Sequence, residues 1–357
     1  MDQINVGIIG CGRISDLHAL GYRDNPEARI YAVCDTNRAS AERRQGQWQA
    51  ERLYTHHLDM LADPEVHAVE ILVPHPVHES IMVDAAMAGK HIALQKPMTT
   101  DLASADRMLA AAEEAGVVFR VTDNYVFYPP IVLAKRMISN GEIGTPTNLR
   151  IKFVSGGSGG WEVPDSAWEW RLDEVAAGRG LQTFDHGHHL WTTAWFLLGG
   201  IERVVSWIDS ADGILDCPSV IMWKYRDGTR YGMCEYCHVQ NVEIPSKYYA
   251  NDEWIEVTGT DGMILVHRCT GNLLEGPALS VFTAKGWKHY EDVDSDWAAG
   301  FKGATQNFVG AIKGVAKPLL SGAEGKEILR FSLAIQESSR IRREVFLHAM
   351  ESPRSGG

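Results

Sequence analysis

The chain has 357 residues, with 34 Lys plus Arg against 46 Asp plus Glu, for a formal charge of −12. That charge repels a phosphate backbone and excludes a nucleic-acid or anionic-membrane binder. The length suits two domains at ~150 residues each. Hydrophobic residues make up 45% of the chain, enough for large cores, and no apolar run approaches the ~20 residues of a membrane-spanning helix. The opening MDQINVGIIGCG has neither the basic stretch nor the cleavage site of a secretory signal. Six cysteines are too few for a disulfide scaffold, so reduced thiols in a cytoplasm are expected. Of eleven tryptophans only Trp48 precedes residue 160, so the first third and the remainder are built from different material.

Apolar runs at 4–9, 30–34, 68–73, 91–94 and 117–122 alternate with segments of helical composition at 15–24, 38–52, 77–88 and 101–115. Short apolar strands alternating with helices predict a doubly wound parallel sheet, a Rossmann domain over residues 1–124. Ligands of such sheets sit at the carboxyl ends of the strands, which here are Gly10, Asp35, Pro74, Lys96 and Asp123. After Pro129-Pro130 the pattern changes. A helix at 131–140 precedes strands at 147–155, 203–210, 218–226, 230–238, 252–258 and 262–267, with Asp227-Gly228 and Asp261-Gly262 as turn signals. A helix at 185–198 interrupts them, and helices at 298–314 and 323–340 close the chain. Residues 125–357 therefore predict an α/β domain with a large open, mostly antiparallel sheet, whose C-terminal helices can pack back on the first domain. The tail from Ser352 to Gly357 is expected to fray.

Gly10-Cys11-Gly12-Arg13-Ile14-Ser15 lies between a predicted strand and helix, the context of a dinucleotide-binding loop. Gly10 permits the tight turn, Gly12 lets backbone approach a pyrophosphate, and Ser15 replaces the third glycine with a small residue. Asp35 closes the second strand, where a carboxylate accepts hydrogen bonds from ribose hydroxyls and repels a 2′-phosphate. NAD is therefore expected, with Arg38 leaving NADP open.

Gln95-Lys96-Pro97 follows the fourth strand, and a cis peptide before Pro97 is compatible with the loop. From these residues the chain resembles the Gfo/Idh/MocA oxidoreductases, the family of glucose–fructose oxidoreductase and inositol dehydrogenase. Gly10-x-Gly12-x-Ile14 with His18 looks like its opening, and Pro74 and His78 fit its third-strand loop. Gly89-Lys90-His91 with Lys96-Pro97 fits its glutamate-lysine-proline signature, and Asn124-Tyr125 has a counterpart. Gln95 stands where the signature has glutamate, and Val126 where arginine commonly follows Asn-Tyr. The resemblance implies cofactor contacts from Gly10, Gly12, Arg13, Ile14, Asp35, Arg38, Pro74, His75, His78, Gln95, Lys96 and Asn124.

Gly178-Arg179-Gly180 leads into Asp185-His186-Gly187-His188-His189, which resembles the family's Asp-x-Gly-x-His. Asp185 and His189 are four apart and share a helix face. Aimed at Lys96 from the second domain, they form a proton-handling set. Oxidising a secondary alcohol requires removal of its hydroxyl proton, a task suited to histidine. His189 is assigned as general acid/base, Lys96 as the group binding the reacting oxygen, and Asp185 as the residue orienting substrate or imidazole. The reverse split, with Lys96 as base, is also chemically sensible, since burial near other cations can lower a lysine pKa. Successive helical residues point in different directions, so the histidine cluster is not expected to hold a metal. Cys234-Glu235-Tyr236-Cys237-His238 matches a haem-attachment pattern but falls in a predicted strand, which favours coincidence.

Trp161, Trp168, Trp170 and Arg171 fall in a predicted loop rich in Gly, Ser and Pro. Trp170-Arg171 resembles a family element beside the nicotinamide, while His186, Trp161 and Trp168 are candidates to contact substrate. The expected function is NAD-dependent oxidation of a secondary hydroxyl on a sugar, glycoside or cyclitol. One alternative is a glycosidase acting by transient oxidation, elimination and re-reduction, and another is a non-catalytic NAD sensor. Strand tryptophans and Tyr248-Tyr249 suggest a face buried in a homodimer or homotetramer.

Overall fold

The computed structural model describes residues 3–211 and 213–350. The tail Ser352 to Gly357 lies outside the described residues. Two compact units emerge, residues 1–124 with 301–329 and residues 125–300 with 330–357.

In the first unit the elements are β1 (Ile4–Ile9), α1 (Ser15–Ala19), β2 (Ala28–Cys34), α2 (Arg38–Trp48), β3 (Arg52–Tyr54), α3 (His57–Leu61), β4 (Ala68–Ile71), α4 (His78–Met87), β5 (His91–Gln95), α5 (Leu102–Ala115) and β6 (Phe119–Thr122). The six strands pair in the order β3-β2-β1-β4-β5-β6, all parallel. Every residue of β1 is buried, which is why it reads as a continuous apolar run rather than an alternating one. Local chemistry sets the helix ends. Asn37 caps α2 by accepting from the Ser40 N–H, Asp101 caps α5 through the Ser104 N–H, and Gly116 ends α5 in the left-handed region. The predicted helix at 15–24 is only the single turn of α1, and β3 and α3 were not foreseen. These pieces are too short and too polar to show a period.

In the second unit the elements are α6 (Pro129–Ser139), β7 (Pro146–Ser158), α7 (Asp165–Ala176), α8 (Gly187–Leu198), β8 (Ile201–Ile208), β9 (Ser219–Tyr225), β10 (Tyr231–Glu243), β11 (Asn251–Gly259), β12 (Gly262–Val266), β13 (Leu279–Thr283) and β14 (Gly286–Tyr290). Later in the chain α9 (Ala298–Ile312) falls mostly in the first unit, α10 (Gly322–Ile341) is divided between the two units after residue 329, and β15 (Val345–Phe346) returns to the second. The nine strands run β14-β13-β12-β11-β7-β10-β9-β8-β15. The β7–β10 pair is parallel and its neighbours are antiparallel, so the sheet is mixed. Trp191 of α8 is fully buried, with its ring 5.4 to 6.1 Å from Phe331, Trp223 and Tyr236. Its indole N–H donates to the Thr183 carbonyl. This aromatic cluster accounts for part of the tryptophan excess.

Two sequence readings need correction here. Trp168, Trp170 and Arg171 sit on α7, not in a loop, because a helical stretch begins immediately after Pro164. Tyr248 is buried within the chain against Trp161 and Trp297, and Tyr249 packs on the same two rings. These tyrosines therefore do not form the outer sheet face, although Trp207 and Trp287 are about half exposed there. Cys234 and Cys237 lie three apart on β10, on opposite faces of the sheet. That separation explains the C-x-x-C-H match as coincidence.

Candidate active site

The first unit gathers its chemistry at the carboxyl edge of the parallel sheet. Gly10 adopts φ +99°, and a Cβ there would lie 2.4 Å from the Leu72 carbonyl oxygen. Gly12 instead faces open space, with nothing within 4 Å of a Cβ, which is the clearance a close ligand requires. The Ser15 hydroxyl donates back to the Gly12 carbonyl at 2.6 Å. Asp35 Oδ2 accepts from the Cys11 N–H and Oδ1 from the Asn37 N–H, each at 2.8 Å. Each oxygen keeps a further lone pair for a hydroxyl donor. Arg38 pairs with Glu42 on the exposed side of α2, so the residue that left NADP open is engaged elsewhere. Cys11 in this loop and Cys34 beside it are buried, and burial pushes both thiols up to about 12, leaving them inert.

Arg44, which sequence reasoning did not single out, braces the loop from beneath. It is buried, donates to the carbonyls of Gly12 and Cys11 at 3.0 and 3.4 Å, and pairs with Asp16. Asn124, at the end of β6, is 1% exposed, and neither of its amide atoms has a partner among the described residues. An unpartnered buried amide costs ~1–3 kcal/mol, so Asn124 fits a position completed by a ligand. Asp35→Ala should weaken NAD binding roughly 10- to 150-fold, the worth of hydrogen bonds to a charged acceptor. A fluorescence titration giving unchanged affinity would remove Asp35 from the site.

Lys96 follows β5 and is held from two sides. Its N–H donates to Gln95 Oε1 at 2.7 Å, and the peptide to Pro97 is cis. His78 is fully buried with its ring nitrogens 2.9 Å from the Pro97 and Val73 carbonyls. Burial pulls its pKa down, so at neutral pH it donates one proton to one of them. His78 thus ties two loops together, and His75 packs edge-on against it. His78, expected to contact the cofactor, faces backbone carbonyls with both ring nitrogens and so braces the two loops.

Gln95 also acts through other residues. Its Nε2 lies 3.0 Å from His18 Nε2. The amide can only donate there, so the imidazole proton sits on Nδ1 and donates to Glu70 Oε2 at 2.6 Å. Tyr22 donates to Glu70 Oε1 at 2.6 Å, and burial, then Glu70, pushes its hydroxyl pKa well up. Arg120, also buried, is pulled down to about 10 by burial and remains a cation. A glutamate at 95 could not donate to His18 Nε2.

The second unit holds the histidines. A single wide turn at Leu181–His186 leads into α8, so Asp185 precedes the regular helix. Asp185 Oδ2 accepts from Arg171 Nε at 3.1 Å, and the Arg171 guanidinium lies 4.2 Å from the Trp170 ring centroid. His188 is buried, with Nδ1 2.6 Å from the Phe184 carbonyl, a helix-internal role. His189 stacks on Tyr125 with centroids 4.5 Å apart. His186 Nε2 lies 2.7 Å from Glu253 Oε1. Glu253, fully buried on β11, escaped sequence reasoning, although the acidic pair Asp252-Glu253 at a strand start was a visible signal. Trp161 packs on Tyr248 and Tyr249, whereas Trp168 is 38% exposed.

Residues 4–123 match the oxidoreductase family with an NAD-binding Rossmann fold, and residues 131–265 match the GFO/IDH/MocA C-terminal domain. The chain is 27% identical to D-apiose dehydrogenase of Paraburkholderia graminis over 356 residues, covering 97% of this chain and 90% of that one. It is 25% identical to scyllo-inositol 2-dehydrogenase (NAD(+)) of Bacillus subtilis, covering 95% and 94%. Among solved structures, levoglucosan dehydrogenase in complex with NADH and levoglucosan has a TM-score of 0.82 at 22% identity, covering 97% and 99%. With both of its folded parts matched, the chain belongs to the Gfo/Idh/MocA oxidoreductase family.

Proposed function

We propose that the protein transfers a hydride between a secondary hydroxyl of a sugar, glycoside or cyclitol and NAD. The observation that carries this reading is the carboxyl edge of the parallel sheet. There an open Gly12, an acceptor carboxylate and an unpartnered buried amide stand in the order a dinucleotide needs. Gly10 to Gly12 would hold the pyrophosphate, Asp35 the adenosine ribose and Asn124 the distal end. When bound, the nicotinamide supplies a hydride acceptor or donor. Lys96 would bind and polarise the reacting oxygen, offsetting the charge that builds as its proton leaves. Asp185, His186 and His189 supply the substrate-facing side, where an imidazole takes the hydroxyl proton. The relatives that oxidise sugars and inositols support the polyol class. The exposed Trp207 and Trp287 support assembly of copies through the outer sheet face.

Mass spectrometry of the cofactor carried by the purified protein, then NADH appearance with a panel of sugars, glycosides and inositols, tests the reading. NADH formation with at least one member is expected. Release of free sugar without net NADH would instead establish the redox-glycosidase chemistry. Binding of NAD with no turnover across the panel would leave a sensor.

A further inference from the structure

The backbone N–H of Lys96 ends a chain of hydrogen bonds that reaches back to α1, the helix entered from the glycine loop. That N–H donates to Gln95 Oε1 at 2.7 Å, with a longer contact to the Thr122 carbonyl at 3.3 Å. An N–H can face only an acceptor, so the Gln95 amide is fixed with its oxygen on Lys96 and its NH2 toward His18 Nε2, 3.0 Å away. A neutral imidazole has one lone pair. It therefore lies on Nε2, and the Nδ1–H goes to Glu70 Oε2 at 2.6 Å. Tyr22 donates to the other oxygen of Glu70 at 2.6 Å. Phe301 packs edge-on against the imidazole at 5.1 Å. His18 and Glu70 are both buried, which keeps water from replacing either one. All of these groups belong to the first unit.

We propose that His18 is a positioning residue for Lys96: oriented by Glu70, it holds the Gln95 amide, which in turn fixes the Lys96 backbone at the carboxyl edge of the sheet. The assignment rests on the oxidoreductase reading above, in which Lys96 binds the reacting oxygen. A lysine ammonium ends a long flexible stem, so the backbone that carries the stem must be held if the charge is to meet one oxygen. Misplacement of a reacting group by about 1 Å costs up to ~100-fold in rate. His18 touches neither substrate nor the Lys96 side chain in this scheme, and its effect passes through Gln95 alone. Because α1 continues from the glycine loop and Lys96 follows β5, the same imidazole ties the dinucleotide loop to the residue at the reacting end.

In uniformly 15N-labelled protein, two-bond correlation spectra of the histidine rings, assigned by the signal lost in His18→Gln, should show Nδ1–H alone for His18. Gln95→Glu should turn that ring into a doubly protonated imidazolium, because a carboxylate at 95 presents His18 Nε2 with an acceptor. The Lys96 amide proton should exchange about 5- to 10-fold faster in His18→Leu and in Gln95→Met, the effect of losing one ordinary hydrogen bond. With a polyol substrate, kcat should fall about 10- to 100-fold in each variant while NAD affinity is kept. The double variant should fall no further, since both changes break one chain. His18→Gln, whose amide offers the same acceptor and donor, should restore both readouts. His18→Leu strips a donor from buried Glu70; if it does not fold, Gln95→Met, which leaves that pair intact, decides alone. An Nε2–H signal in wild type would overturn the orientation of the chain. Unchanged Lys96 exchange with normal kcat in Gln95→Met would overturn the positioning role. A lower melting temperature with normal kcat in His18→Leu would do the same, leaving His18 a purely structural part. Absence of any wild-type turnover would reject the oxidoreductase reading itself, and amide exchange at Lys96 would still decide whether His18 holds it.

Discussion

Replacing Lys96 with methionine is expected to lower kcat/KM about 10³-fold, while NAD affinity and thermal stability stay near wild type. The magnitude is that of removing one positioned cation or donor from a developing oxyanion, ~3–4 kcal/mol of barrier. Methionine keeps the length of the aliphatic stem and deletes the charge. The main chain should not move, because its supports do not involve the ammonium group. Gln95 Oε1 accepts the Lys96 N–H, and His78 lies against the Pro97 carbonyl. A variant that folds, binds NAD and fails at the hydride step is therefore the expected phenotype. If Lys96→Met retained more than about a tenth of wild-type kcat/KM, the oxygen-binding role would be lost. If instead NAD affinity collapsed with activity, the lysine would belong to cofactor binding.

Much of the first unit was legible because its signals are local. The β1 run, the glycine loop and Asp35 lie within 35 residues of the start, and each element carries its own chemistry. The mixed sheet was legible from alternation and Asp-Gly turns. Two strands, β13 and β14, were not, because five residues each give too little periodicity. Helix α7 was hidden by its glycine-rich neighbour, even though Pro164 before Asp165-Ser166 is an ordinary helix entry. The least legible features were the side-chain partnerships. Gln95 with His18 spans 77 positions and Glu253 with His186 spans 67. Each depends on which face a helix turns toward a strand. The wide turn at Leu181–His186 also escaped the sequence, and it sets Asp185 before the regular 3.6-residue period that His189 follows. Glu70 did leave a trace, as a lone charge in the otherwise apolar strand β4, all of it buried. A charge in that setting requires partners, and here they are His18 and Tyr22.

Gly10 and Gly12 are two residues apart and should fail in opposite ways. Gly10→Ala is expected to destabilise the first unit by about 3–5 kcal/mol, combining left-handed backbone strain with overpacking. The obstruction is backbone. A Cβ would meet the Leu72 carbonyl oxygen at 2.4 Å and its carbon at 2.7 Å. The backbone on either side cannot retreat freely, since the Leu72 N–H is bonded to the Ile9 carbonyl at 2.7 Å and the Gly10 N–H to the Cys34 carbonyl at 2.8 Å. Relief would require pulling β1 from its neighbours, so a clear fall in melting temperature should accompany loss of NAD binding. Gly12→Ala meets nothing within 4 Å and should melt within a few degrees of wild type. Its new methyl would occupy the space kept for the pyrophosphate, and NAD affinity should fall at least about 100-fold through steric exclusion and lost backbone contacts. Calorimetry and fluorescence titration on the two variants separate fold from binding. Near-normal NAD affinity in Gly12→Ala would mean that the open face of the loop is not where the dinucleotide lies.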